Sequence, residues 1–172
     1  MSEDTPKYLK ETLRETPVVT PLPGEMRLPH GGWVEGDTEI CSTCGSCELY
    51  CSMAHEKVSS RSLARLSIIS DRFTGHVAIE TCRQCAAPDC VYACKVPGAM
   101  TIDPNTKARL IDAEKCVGCG ACAKACPYNA NNGVIRLDPE RNIYIKCDLC
   151  GGDPQCIKAC RFISITYEGR RI

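Results

Sequence analysis

The chain has 172 residues, 21 basic against 21 acidic side chains, 16 cysteines and only 5% aromatic residues. Zero formal net charge without a basic stripe excludes nucleic-acid binding, and no apolar run reaches membrane-spanning length. Two Phe and one Trp make a thin conventional core, so the cysteines are expected to hold the fold.

Residues 1–36 contain no cysteine and read as an arm. Thr5 and Pro6 suit a helix N-cap and first turn, with Leu9 and Leu13 on one side of the two turns that follow. Pro17, Pro21, Pro23 and Pro29 then keep the chain extended, near polyproline II. The arm's apolar side chains, among them Tyr8, Leu13, Val19, Met26 and Trp33, call for burial on this chain, on a partner, or on another copy in a filament.

The first cysteine run is Cys41, Cys44, Cys47 and Cys51, with a helix starting near Cys47 and continuing through S-M-A-H-E-K. L-A-R-L-S-I-I-S and H-V-A-I-E read as two strands around D-R-F-T-G. The second run, Cys82, Cys85, Cys90 and Cys94, carries a longer insert before its third cysteine. A hairpin around Asp103 and Pro104 leads to the third run, Cys116, Cys119, Cys122 and Cys126, which ends in Pro127. A second D-P hairpin, around Asp138 and Pro139, leads to the fourth run, Cys147, Cys150, Cys156 and Cys160. I-S-I-T-Y closes the chain as a short strand. The endings V-Y-A-C, A-K-A-C and I-K-A-C mark an internal repeat.

Disulfides need an oxidising compartment. The N-terminus M-S-E-D-T-P-K-Y-L-K has no apolar signal core and no twin arginine, which points to the cytoplasm. Zinc favours paired C-x2-C units closing one tetrahedron, unlike runs of four. The third run is the C-x2-C-x2-C-x3-C-P run of bacterial ferredoxins, whose fourth cysteine ligates the other cluster. Sixteen thiolates supply four complete sites with none left over, hence four [4Fe–4S] clusters as iron-bound cofactors. Runs two and three, joined by one hairpin, make one ferredoxin unit, and runs one and four pair around it. The alternative is a tandem, one with two and three with four.

No phosphate loop, dinucleotide fingerprint or His–carboxylate motif is present, and every cysteine has a ligand role, so no catalytic residue is assigned. His55, one helical turn past Cys51, is either a cluster-tuning hydrogen-bond partner or an ordinary surface histidine. Arg83, Lys95, Lys146, Lys158 and Arg161 flank ligands and either raise cluster potentials or are solvated charges. Trp33 is either an interface anchor or a cover for the chain's own surface.

Over residues 39–167 the chain resembles four-cluster ferredoxin subunits of pterin oxidoreductases. The resemblance implies four ligand sets: Cys41, Cys44, Cys47 with Cys160; Cys147, Cys150, Cys156 with Cys51; Cys82, Cys85, Cys90 with Cys126; and Cys116, Cys119, Cys122 with Cys94. It implies an α+β fold of two nested ferredoxin-like units, an outer one from residues 37–79 and 145–172 and an inner one from residues 80–144. C-G-S-C-E-L-Y-C-S-M-A-H-E, followed by S-L-A-R-L-S-I, is similar to small subunits of tungsten aldehyde oxidoreductases and related benzoyl-CoA reductases. The implied function is single-electron relay between a tungsten-pterin catalytic subunit and a second partner, a flavin-containing subunit or a ferredoxin. Alternatives are a formate dehydrogenase, hydrogenase or benzoyl-CoA reductase complex, and, from another class, a structural assembly module stapled by its clusters.

Overall fold

Three hairpins and one long-range strand pair frame the cysteine loops. The structure is a computed structural model in which residues 31–168 are described. The expected N-terminal helix and the proline-rich stretch lie outside the described residues. β1 (Trp33–Gly36) is followed by α1 (Ser46–Glu56), β2 (Ser67–Ser70), β3 (Val77–Glu80) and α2 (Asp89–Tyr92). Then come β4 (Met100–Ile102), β5 (Arg109–Ile111), α3 (Ala121–Ala125), β6 (Ile135–Asp138) and β7 (Ile143–Lys146). A 3₁₀ turn (Leu149–Gly152), α4 (Gln155–Ala159) and β8 (Ile165–Glu168) close the chain. This is a small mixed helix and strand fold.

Among the described residues the strands form four antiparallel pairs, β1–β8, β2–β3, β4–β5 and β6–β7. The three hairpins share one turn. Each begins with an aspartate, Asp71, Asp103 or Asp138, whose carboxylate accepts from the backbone N–H two residues on, at 2.9, 2.7 and 3.0 Å. Each ends in a left-handed residue, Gly75, Lys107 or Asn142. An Asx side chain that satisfies the turn's own amides is what makes such a turn cheap. D-R-F-T-G is therefore a third copy of the D-P turn.

β1 is a departure from an arm that runs to residue 36. Trp33–Gly36 pair with Glu168–Ile165, and the Thr81 hydroxyl donates to the Val34 carbonyl at 2.6 Å, tying β1 to the end of β3. Trp33 is half-buried within that strand.

The packed interior comes in two small groups that include cysteines. One gathers Val34, Leu66, Ile68, Leu149 and Ile165 around Cys47, Cys51 and Cys156. The other joins Val134 and Ile135 to Cys82 and Cys122. Buried Asn129 locks the chain after run three: its amide donates to the Ile135 carbonyl at 3.1 Å and its oxygen accepts from Ile135 N–H at 2.8 Å. α1 packs along α4, and α2 along α3. No helix among the described residues is long and apolar enough to cross a membrane.

Candidate iron–sulfur sites

Each cysteine run is bent by a left-handed residue just before its second cysteine: Thr43 (φ 56), Gln84 (φ 47), Gly118 (φ 69) and Leu149 (φ 62). This conformation favours glycine, since a Cβ there crowds the next carbonyl. Gly118 has a further reason, because a Cβ would sit 2.3 Å from the Asn142 carbonyl oxygen. Where the residue is not glycine, two of the three side chains are used. Leu149 is fully buried in the first core group. Gln84, 1% exposed, donates from Nε2 to the Cys147 carbonyl at 2.9 Å and accepts from Arg109 N–H at 2.8 Å. It thus ties run two to run four and to β5. A glycine in run three signals the bend in the sequence; at Gln84 and Leu149 nothing local does.

The structure brings cysteines from different runs together. One recess is lined by Cys82, Cys85, Cys90 and Cys126. A second is lined by Cys94, Cys116, Cys119 and Cys122. Cys41, Cys44 and Cys47 lie near enough to feel one another's charge, as do Cys51, Cys150 and Cys156. Cys147 neighbours both Cys156 and Cys82. Cys160 borders the same core group as Cys41 and Cys47. All sixteen cysteines are free thiols, with Cys44 and Cys119 exposed.

Burial pushes the thiols of Cys47, Cys90, Cys126 and Cys156 up to about 12, and those of Cys51 and Cys122 to about 11. Cys147 is also raised, again by burial. Several sequestered thiols together hold more potential negative charge than the nearby side chains balance. A soft metal supplies the balancing charge, displacing the protons as the thiolates bind. The donor set therefore fits iron–sulfur clusters. Backbone and side-chain groups already point at several sulfurs. Arg65 N–H donates to Cys51 Sγ at 3.2 Å, and the Ser164 hydroxyl lies 3.1 Å from Cys160 Sγ.

Of the two alternatives for His55, the geometry favours the hydrogen-bonding one. Its Nε2 lies 3.4 Å from Cys150 Sγ and 3.4 Å from Asp148 Oδ1. Burial lowers its pKa, which favours the neutral ring. Arg65 holds Asp148 at 2.5 Å, a support not legible in the sequence. The flanking cations divide sharply. Arg83, Lys95, Lys158 and Arg161 are exposed, whereas Lys146 is 3% exposed. The Lys146 ammonium donates to the Arg109 carbonyl and, at 3.3 Å, to the Cys147 carbonyl. Burial works to lower its pKa, but the thiolates of Cys82, Cys90 and Cys147 outweigh that and raise it.

Comparison with known proteins agrees with this donor chemistry. Residues 110–130 match the 4Fe-4S binding domain. The polyferredoxin-like subunit of an aliphatic sulfonate oxidoreductase from Pyrococcus furiosus is 36% identical over 128 residues, covering 74% of this chain and 70% of that one. The chain belongs to the polyferredoxin-like iron–sulfur subunits. Two other relatives of this polyferredoxin-like chain are longer. The beta subunit of an NADH-dependent phenylglyoxylate dehydrogenase from Aromatoleum evansii is 34% identical over 126 residues, 72% of this chain and 27% of that one. The iron-sulfur subunit of a formate dehydrogenase from Haemophilus influenzae is 35% identical over 109 residues, 59% of this chain and 33% of that one. The BamBC active-site complex of benzoyl coenzyme A reductase overlays with a TM-score of 0.44 at 18% identity, covering 81% of this chain and 79% of that one, a likeness too loose to bear on function. As a polyferredoxin-like subunit, the chain is an iron–sulfur electron-transfer component of an oxidoreductase complex carrying 4Fe–4S clusters.

Proposed function

We propose that the chain holds four [4Fe–4S] clusters and relays single electrons between a catalytic subunit and a second redox partner, with no catalysis of its own. The observation that carries this is the pair of recesses, each lined by four cysteines drawn from two runs: three from run two with Cys126, and three from run three with Cys94. That exchange of fourth ligands is the arrangement of two-cluster ferredoxins. The packing of α1 on α4 and the pairing of β1 with β8 support an outer unit of residues 37–79 and 145–172 around an inner unit of residues 80–144. β1 extends that outer unit to residue 33. The two remaining sets are Cys41, Cys44, Cys47 with Cys160, and Cys147, Cys150, Cys156 with Cys51.

A bound cluster supplies a one-electron centre whose potential depends on charge, hydrogen bonds and solvent exposure. The protein's part is to bury the thiolates, to aim N–H groups at the sulfurs, and to keep water from the inner recess with Pro88, Val134 and Ile135. The proposed catalytic partner is a tungsten-pterin aldehyde oxidoreductase, on the resemblance of the 44–56 stretch; a relative named as part of an aliphatic sulfonate oxidoreductase supports an oxidoreductase partner of some kind. The arm, residues 1–36, is proposed to dock on that partner or on a further copy of this chain, its last four residues being held in β1.

Anaerobic purification of the native complex tests this, with metal and sulfide analysis. The expected content is about sixteen irons per chain, four for each four-cysteine site. About eight irons, or zinc in place of iron, would sink the four-cluster reading. Tungsten absent from a co-purifying catalytic subunit would remove the tungsten assignment. A chain lacking residues 2–30 that assembles as well as the full chain would remove the docking role.

A further inference from the structure

Lys146 is a buried ammonium that donates to the carbonyls of Arg109 and Cys147 and also has the Cys82 side chain as a hydrogen-bond partner. Among the described residues no carboxylate lies within ion-pair distance of it. A buried charge is tolerated only with a compensating charge nearby. The anions available are thiolates, and they come from two runs. Lys146 lines the recess of Cys82, Cys85, Cys90 and Cys126. Its ammonium also lies 3.3 Å from the carbonyl of Cys147, the first cysteine of run four. The other cations that flank ligands are exposed, and three of them have partners of their own. Arg83 pairs with Glu35 at 3.2 Å, Lys158 pairs with Asp153, and Lys115 pairs with Asp112 at 2.8 Å. Arg109 is buried against the same recess and donates to the Lys107 carbonyl. Lys146 is, with Arg109, one of two buried cations at this recess, and it is the one whose ammonium also reaches the Cys147 carbonyl.

We propose that Lys146 is a positioning residue for electrons. Its charge raises the reduction potentials of the two clusters on either side of it, so that electrons collect at that pair before passing on. One neighbour is the cluster of Cys82, Cys85, Cys90 and Cys126, and the other is that of Cys147, Cys150, Cys156 and Cys51. The proposal rests on the ligand sets put forward above. Each transfer past Lys146 moves one electron, oxidising one neighbour and reducing the other. The electrons enter from a reduced catalytic subunit or a one-electron carrier. The positive charge of Lys146 also screens the repulsion between two reduced neighbours, which lets both hold an electron at once.

The test is an EPR-monitored redox titration of the anaerobically purified, iron-loaded full chain, with dithionite as reductant. In Lys146→Met, two of the four midpoints should fall, each by at least a tenfold weaker hold on the electron, which is 59 mV for a one-electron couple. The other two should stay where they are, and Lys146→Arg should return both shifted midpoints towards the wild type. Four unmoved midpoints, a shift in only one, a uniform shift in all, or an Arg variant that behaves like Met would overturn the role. The wild type gives a second reading that needs no variant to fold. At two electrons per chain the reduced centres should be magnetically coupled neighbours, and two uncoupled signals would overturn the proposal. Iron analysis separates the two failures. A wild type short of about sixteen irons defeats the four-cluster assignment. A full complement with unmoved midpoints defeats Lys146 alone.

Discussion

Replacing Gln84 isolates what a side chain contributes at a left-handed corner. Gln84→Ala removes both of its hydrogen bonds, to the Cys147 carbonyl and from Arg109 N–H. The Cys147 carbonyl keeps Lys146 as a donor, so its loss is about 1 kcal/mol. Arg109 N–H is left buried without that acceptor, at a further cost of about 2 kcal/mol. The sum, about 3 kcal/mol, corresponds to about two decades if it falls entirely on the unfolding rate. Stopped-flow bleaching of the cluster absorbance in guanidinium with an iron chelator, under anaerobic conditions, reads that rate. Gln84→Gly loses the same bonds but removes the Cβ from the left-handed position, which should return about 1 kcal/mol. Bleaching of the Ala variant within about threefold of wild type, where 3 kcal/mol predicts about 100-fold, would refute the hydrogen-bond accounting. A Gly variant less stable than the Ala variant would refute the backbone part.

Cys126→Ser should damage the cluster of Cys82, Cys85 and Cys90 and leave that of Cys116 largely intact. Resonance Raman and EPR of the variant, compared with Cys85→Ser, check this, and matching damage in Cys116→Ser instead would contradict it. The metal-free chain should lack a cooperative thermal transition by circular dichroism, because binding free energy here is folding free energy; a sharp transition after chelation would oppose that. Burial raises the Glu80 carboxyl pKa, against the hydrogen bond donated by Asn131 at 2.7 Å. The folded state therefore binds the proton more tightly than the unfolded chain, and stability is present at low pH and lost as pH climbs through the raised value. Glu80→Gln should flatten that decline in the thermal bleaching midpoint, and an unchanged slope would assign it elsewhere.

The four runs, the hairpins and the helix after Cys47 were legible because each rests on local chemistry: cysteine spacing, an aspartate before a turn, a strand-like run of Ile and Val. β1 was not legible, since its partner β8 lies at the far end of the chain and nothing within W-V-E-G announces it. The corner before each second cysteine shows itself as glycine only in run three, and Gln84 and Leu149 conceal it behind side chains with tertiary partners. The flanking cations form one class in sequence. Only folding separates Lys146, buried at the end of β7, from Arg83, which borders the same recess but reaches out to Glu35 at the surface.

The clasp between β1 and β8, together with α1 resting on α4, bears on how the protein is made. A ribosome delivers the first cysteine run early, yet its packing partners α4 and β8 emerge last. Runs two and three, which line the two recesses together, emerge in between and are closed only by Lys146 and Cys147 just behind them. The first four thiols spend that interval without their final neighbours, open to air and to the wrong metal. The first run therefore meets its packing partners only once α4 and β8 have been made.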